Sequence, residues 1–307
     1  MAAITALVHG LGNIGANVIH SLENAPDMEC LGVVRGPASL GTKTAELRGL
    51  PEFGSLEALV QAKGKPQVAI ICGPSRLAPE EARRYLAAGL HTVDSFDIHS
   101  EIPRVVDDLG AEAVRAGRSA VVAAGWDPGS DSVLRALFEA MTPVGATFTN
   151  FGRGRSMGHS VAARAIAGVA DAVSITIPLG GGRHARLVYI LPQAGAGQEA
   201  IRAALGADAY FSHDPLEVRF VDSPEELAAA ADNSHGVLLE RLGASGRASN
   251  QRLSFDMRID NPALTAQVMV AAARAAARLA PGCYTMIDIP PVALLPGDRM
   301  RHIARLV

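Results

Sequence analysis

The stretch Ile4-Thr5-Ala6-Leu7-Val8-His9-Gly10-Leu11-Gly12-Asn13-Ile14-Gly15 runs from an apolar, β-prone segment directly into a GxGxxG turn. Ala3–Val8 reads as a strand and Asn13–Glu23 as the helix that follows it. In that context the glycines have separate tasks. One permits the tight turn, one lets backbone approach a pyrophosphate, and one allows close packing of helix on strand, so that the helix N-terminus faces the anion. Gly10, Gly12, Asn13, Ile14 and Gly15 are therefore expected to hold a dinucleotide. At the end of the second strand, where an acidic residue would bind a ribose 2′-hydroxyl, the chain carries Arg35. That residue suits a 2′-phosphate and favours NADP(H), with Thr42 and Lys43 as possible supplements. A solvated loop arginine is the alternative reading. Cys72-Gly73-Pro74-Ser75 ends another apolar strand and is expected to line the cofactor as well.

Outward from this turn, short β-branched runs alternate with helical patterns. Strands are expected at Glu29–Val34, Gln67–Cys72, His91–Ser95 and Ser119–Ala123, with helices near Leu56–Ala62, Pro79–Ala88 and Ser100–Ala116. Continuous apolar strands suit a parallel sheet covered on both faces. The order is that of a Rossmann-type, doubly wound α/β sheet. After Trp126 the texture changes to strands near Thr147–Phe151, Ala172–Ile177, Ala185–Leu191 and Arg252–Ile259. RLVYIL and RLSFDMRID alternate as strands with one solvated face do. This part reads as an α+β domain for substrate binding and dimerisation. The alanine-rich helix Asn261–Leu279 opens with Asn-Pro, a suitable cap and first-turn pair. The boundaries drawn are 1–125, completed by 283–307, for the cofactor domain and 126–282 for the second, with Gly243–Asn250 the only linker-like stretch.

Composition narrows the function further. The 307 residues are 49% hydrophobic with a net charge of −3, which gives no electrostatic footprint for nucleic acid. No apolar run is long enough to span a membrane, and the N-terminus shows no secretion signal. Cys30, Cys72 and Cys283 are far apart and odd in number, which fits a reducing cytoplasm and offers no zinc motif. No metal is expected. His9 and His91 read as packing or surface residues. The only lysines are Lys43, Lys63 and Lys65. No lysine beyond residue 65 is available as a base or Schiff-base amine.

Two further strand ends carry polar clusters, Asp94-Ser95-Phe96-Asp97-Ile98-His99 and Gly125-Trp126-Asp127-Pro128-Gly129. Carboxylates converging at one sheet edge attract a cationic group such as an amine. A helix N-cap at Asp97 and an Asp-Pro-Gly turn at Asp127 are the structural alternatives. Trp126, the only tryptophan, adds a directional N–H donor beside Asp127.

These segments, together with TNFGRGRSMGHS, TIPLGGGRHAR, SHGV and NQRLSFDMRIDNPALT, resemble the meso-diaminopimelate D-dehydrogenase family nearly end to end. The similarity is greatest to its shorter, compact members, which tend to accept other 2-oxo acids as well. The resemblance implies a homodimer that performs reversible, NADP-dependent oxidative deamination at the D-centre of meso-2,6-diaminopimelate. The products implied are L-2-amino-6-oxopimelate and ammonium. It places Asp97, Trp126 and Asp127 at the D-centre, the Met157-Gly158 backbone over that end, and Phe151 in the cavity wall. Thr176, Arg186, His235 and Asn261 become the clamp on the distal L-centre, where an arginine can fork onto a carboxylate.

With no lysine in the second half, Asp97 or Asp127 is the candidate base for the water that attacks the iminium, and His159 a distant third. Two departures from the family stand out. Gly36 follows Arg35 where relatives often have a second basic residue, which loosens the expected grip on a 2′-phosphate. Arg155 adds a cation near the expected cavity. A sugar or cyclitol dehydrogenase is a competing reading, though its Glu-Lys-Pro motif is missing. A broad D-amino acid dehydrogenase and a non-catalytic NADP sensor are the others.

Overall fold

The computed structural model describes residues 3–152, 154–230 and 235–307. The strands are β1 (Ile4–His9), β2 (Met28–Val34), β3 (Glu52–Phe53), β4 (Val68–Ile71), β5 (His91–Asp94), β6 (Ser119–Val121), β7 (Val144–Phe151), β8 (Gly154–Arg155), β9 (Val169–Gly180), β10 (Arg183–Pro192), β11 (Leu216–Phe220), β12 (His235–Ser245), β13 (Ala248–Ile259) and β14 (Gly282–Tyr284). The helices are α1 (Asn13–Glu23), α2 (Leu56–Lys63), α3 (Ala78–Ala87), α4 (Ile102–Ala116), α5 (Ser130–Met141), α6 (Met157–Arg164), α7 (Gln198–Ala207), α8 (Pro224–Ala230), α9 (Asn261–Ala276) and α10 (Arg299–Leu306).

The first sheet has the order β14-β6-β5-β4-β1-β2-β3, and every pair in it is parallel. Strand alternation sends neighbouring side chains to two separate cores. Ala6 and Val8 of β1 join Val68, Ile70, Val93 and Val121 under α1 and α9, whereas Leu7 joins Ala69 and Ile71 under α2, α3 and α4. Helix α1 buries Gly15, Val18, Ile19 and Leu22, the one-face spacing of an amphipathic helix. The strand order reverses between β1 and β4, the switch point where doubly wound sheets bind ligands.

The chain divides into residues 1–136 with 262–307, and residues 137–261. The joints therefore fall later than 125/126 and earlier than 282/283. The reason lies in α9, whose Ala266, Met269, Ala272, Ala273 and Ala276 are part of the first unit's core. Arg274, almost fully buried on α9, forks onto Asp27 at 2.7 and 2.8 Å ahead of β2 and donates to Leu294 O. The small alanines let the helix lie close to the sheet, so the C-terminal return begins there and not at residue 283.

The second unit holds two sheets among its described residues, β11-β10-β9-β8 and β13-β12-β7. In the first of these Val188 and Ile190 join one apolar cluster, and Leu187 with Val173 and Ile175 another. RLVYIL is therefore covered on both faces, unlike the one-sided strand its alternation suggested. β13 does alternate between exposed and half-buried positions. Gly243–Asn250 is not a linker. It is the tip of the β12–β13 hairpin, where Ser245 pairs Ala248 around Gly246-Arg247 and Gly246 has φ +56°.

Candidate active site

The glycine turn has the geometry that its sequence requires. Gly10 sits at φ +93°, and a Cβ there would lie 3.2 Å from Cys72 O. A Cβ at Gly15 would lie 2.3 Å from Gly10 O, so helix and strand can meet only with glycine at this point. Gly12, by contrast, opens onto empty space and is exposed, with Asn13 beginning the helix beside it. That is the cradle for an anion at the α1 N-terminus. Cys72 N donates to His9 O at 2.8 Å, which brings Cys72, Gly73, Pro74 and Ser75 alongside the same turn. Gly10 to Gly15 and Cys72 to Ser75 thus fit a nicotinamide dinucleotide.

Arg35 is a buried residue, and so differs from the solvated loop arginine considered above. Its Nε donates to Glu52 Oε2 at 2.7 Å, its Nη2 contacts the same oxygen, and Nη2 also donates to Thr42 O at 2.6 Å. Nη1 reaches Thr42 Oγ1 at 3.4 Å. Glu52 Oε1 in turn accepts from Gly41 N at 2.7 Å, so this pair fastens the 36–42 loop to β3. Beside it lies a cavity of about 430 Å³ at the carboxyl ends of β1 and β2, bordered by His9, Arg35, Gly36, Arg84 and Tyr85. His9 donates to or accepts from Tyr85 at 2.8 Å, and burial lowers its pKa.

The two carboxylate-bearing loops are tied together by a residue whose part sequence reasoning missed. Asp94, buried at the end of β5, accepts from Phe96 N at 2.9 Å and from Ala123 N at 3.3 Å. Burial pushes its carboxyl up to about 6, against those two backbone donors. One side chain thus fixes the loop leading to Asp97 and the loop leading to Trp126 and Asp127. Asp97 is exposed and makes no hydrogen bond or ion pair among the described residues. Trp126 is buried, and the Asp127 side chain is only 10% exposed beside Arg135.

In the second unit Thr176 and Arg186 stand opposite each other on β9 and β10. Arg186 donates from Nη1 to Thr176 Oγ1 at 2.5 Å and from Nε to Asp214 Oδ2 at 2.7 Å. Helix α6 starts over β9, since Ser156 N donates to Ser174 O at 2.8 Å, and Met157 and Gly158 form its first turn. His159 follows, bonded to Ser156 Oγ at 2.9 Å with its ring edge-on to Tyr210 and Phe211. Burial lowers its pKa, and the Arg186 charge lowers it further. Phe151 closes β7 opposite Val237, His235 opens β12 opposite Ile259, and Asn261 follows two residues later. Gly152 links this strand end to Thr176. It donates to Gly236 O at 2.8 Å, and a Cβ on it would lie 3.0 Å from Thr176 O.

Arg155 does not join this group. It pairs with Ile175, so its side chain leaves the sheet on the Ile175 face, opposite to Thr176 and Arg186. Ser234, in SHGV, and Arg153, in FGRGR, lie outside the described residues.

The comparisons with known proteins converge. Residues 125–182 match the family described as Diaminopimelic acid dehydrogenase C-terminal domain, and residues 4–93 match Oxidoreductase family, NAD-binding Rossmann fold. A Meso-diaminopimelate D-dehydrogenase from Bacteroides fragilis is 47% identical over 307 residues, covering 100% of both chains. The chain belongs to the meso-diaminopimelate D-dehydrogenase family. Membership of the meso-diaminopimelate D-dehydrogenase family sets aside the sugar or cyclitol dehydrogenase reading and makes the protein an oxidoreductase with a nicotinamide-cofactor unit. Among solved structures, C. glutamicum DAP dehydrogenase in complex with DAP matches with TM-score 0.72 and 28% identity over 100% of both chains. An engineered D-amino acid dehydrogenase bound to NADP+ matches with TM-score 0.70 and 28% identity, again over 100% of both.

Proposed function

We propose that the chain catalyses reversible, NADP-dependent oxidative deamination of meso-2,6-diaminopimelate at its D-centre, yielding L-2-amino-6-oxopimelate and ammonium. The observation that carries this reading is the full-length identity of 47% to a protein of that name. The geometry supports it at both ends of the substrate. Asp97, Trp126 and Asp127 recognise the D-centre amine and carboxylate, and the resemblance to the family assigns the Met157-Gly158 backbone to the same group. Thr176, Arg186, His235 and Asn261 recognise the L-centre, with Phe151 as apolar wall. Arg186 is suited to this because Thr176 and Asp214 hold its guanidinium in one orientation, which lowers the cost of ordering it on binding.

When bound, the nicotinamide cofactor supplies the hydride acceptor. The protein orients the substrate's Cα–H and places charge around the amine. Asp97 or Asp127 takes the proton as water adds to the iminium, no lysine being available beyond residue 65. NADP is preferred over NAD, a reading supported by the basic residue Arg35, in place of an acidic one, directly after β2, and an engineered relative of the same fold is described as bound to NADP+. The protein works as a homodimer in the cytoplasm, with a catalytic role and not that of a cofactor sensor.

NADP+ reduction should be measured with meso-, LL- and DD-diaminopimelate and D-alanine. Turnover of the meso isomer alone is the expected result. D-alanine turned over at a comparable rate would replace the proposal with a broad D-amino acid dehydrogenase, and silence on all four with a sensor.

A further inference from the structure

The carboxylate Asp127 has a companion that the reaction as described above does not use. Asp131 lies in the first turn of α5, and its side chain is 0% exposed. Its backbone N–H donates to Trp126 O at 3.1 Å, which folds the helix start against the Trp126-Asp127 loop. One turn later Arg135 serves both acids. Its Nη2 is 2.7 Å from Asp131 Oδ2, and Nη1 and Nη2 are each 3.4 Å from Asp127 Oδ1. The 2.7 Å approach lies off the hydrogen-bonding direction, so the buried Oδ2 has no aligned donor among the described residues. Ser132 Oγ lies 3.4 Å from Oδ1.

Two carboxyl groups thus share one guanidinium where little water reaches. With both acids ionised the cluster would keep an uncompensated negative charge in a poorly hydrated place, which is costly. Holding one proton between two adjacent carboxyls removes that cost. The inner acid is the better place for it. Arg135 and the positive end of α5 favour an ionised Asp131. Complete burial and the neighbouring Asp127 oppose them and prevail, pushing the Asp131 carboxyl up toward neutrality. Asp127 on the preceding loop and Arg135 on α5 are the ionisable groups that face it among the described residues.

We propose that Asp131 is a positioning residue for the reaction: as a neutral acid it donates a hydrogen bond to Asp127 and, with Arg135, fixes the carboxylate that meets the substrate amine. The proposal rests on the placement of Asp127 at that amine. Its chemical consequence concerns charge. Hydride can leave the D-centre only when the amine nitrogen carries a free lone pair. An ionised Asp131 would add a further negative charge beside Asp127 and hold the amine more firmly as ammonium, whereas a neutral Asp131, with Arg135 balancing Asp127, orients the amine without that added hold on its proton.

Infrared spectra of the full-length protein at neutral pH, taken as wild-type minus Asp131→Asn, should show the loss of one carboxylic-acid C=O band. In turnover, Asp131→Asn keeps an N–H donor toward Asp127 and should retain kcat within about threefold. Asp131→Leu has similar volume but no donor, and should lower kcat at least roughly tenfold with the cofactor KM unchanged. Should the leucine variant not fold, Asp131→Ala takes its place. An absent band, or asparagine and leucine variants equally impaired or equally active, overturns the proposal. The spectroscopic arm needs no substrate, so it is independent of the diaminopimelate assignment. An Asp127→Asn variant with unchanged kcat/KM would remove the positioning role and displace Asp127 from the amine, even if the band were present.

Discussion

Arg35 in the first unit and Arg186 in the second are both held by a carboxylate, yet their forks end in different states. The Arg35 side chain is 5% exposed, and its nitrogens are directed to Glu52 and Thr42. Arg186 is 12% exposed, with Nε on Asp214 and Nη1 on Thr176, and no hydrogen bond from Nη2 among the described residues. All three nitrogens of the first guanidinium are engaged by its own protein; the second is braced on one side and keeps Nη2 to spare among the described residues. An anion reaching Arg35 must compete with Glu52, whereas one reaching Arg186 adds to an existing arrangement. The same residue type, each assigned to an anion, therefore carries different weight.

The largest expected effect follows from that spare donor. Arg186→Gln should lower kcat/KM for meso-diaminopimelate by roughly a hundredfold, corresponding to about 3 kcal/mol for a charge-assisted hydrogen bond to a carboxylate. The cofactor KM should not move. A change under threefold would place the distal carboxylate elsewhere and erase the contrast with Arg35. Next in size, Arg35→Ala should raise the NADPH KM about tenfold and the NADH KM no more than about twofold. Equal rises for both cofactors would make Arg35 a loop fastener only. The double variant with Glu52→Gln separates lost attraction to a phosphate from the repulsion of an unpaired Glu52.

These two arginines also show how far the sequence could be read. GxGxxG, the apolar parallel strands and the two polar strand ends depend on local spacing, and each stands where its pattern put it. Whether Arg35 has free donors depends on Glu52, seventeen positions away on a two-residue strand too short to show any period. Its place in FGRGRSMGH puts Arg155 near the expected cavity, but which face it takes is set by its pairing with Ile175. The alanines of α9 signalled close packing, not the partner, and the partner turned out to be the first unit's sheet. Gly243–Asn250 looked like a linker because glycine and serine also make hairpin tips. What remained illegible was pairing between distant segments, which composition and periodicity do not encode.

The smallest expected effect tests whether Arg186 carries an unneutralised charge at all. Burial is the main reason His159 resists protonation, and the Arg186 cation is the second; Asp214 pulls the other way. If Asp214 compensated Arg186 as fully as Glu52 holds Arg35, His159 would hardly sense the arginine. Arg186→Gln should therefore raise the His159 pKa toward the ordinary imidazole value, because removing a nearby cation favours the charged ring while its burial remains. Ring-proton NMR titration of the wild type and of Arg186→Gln measures this directly, with Arg35→Ala as the control that should leave His159 unmoved. An unchanged midpoint in Arg186→Gln would mean that the two arginines are equally compensated. The difference between them would then lie in hydrogen-bond geometry alone, not in charge.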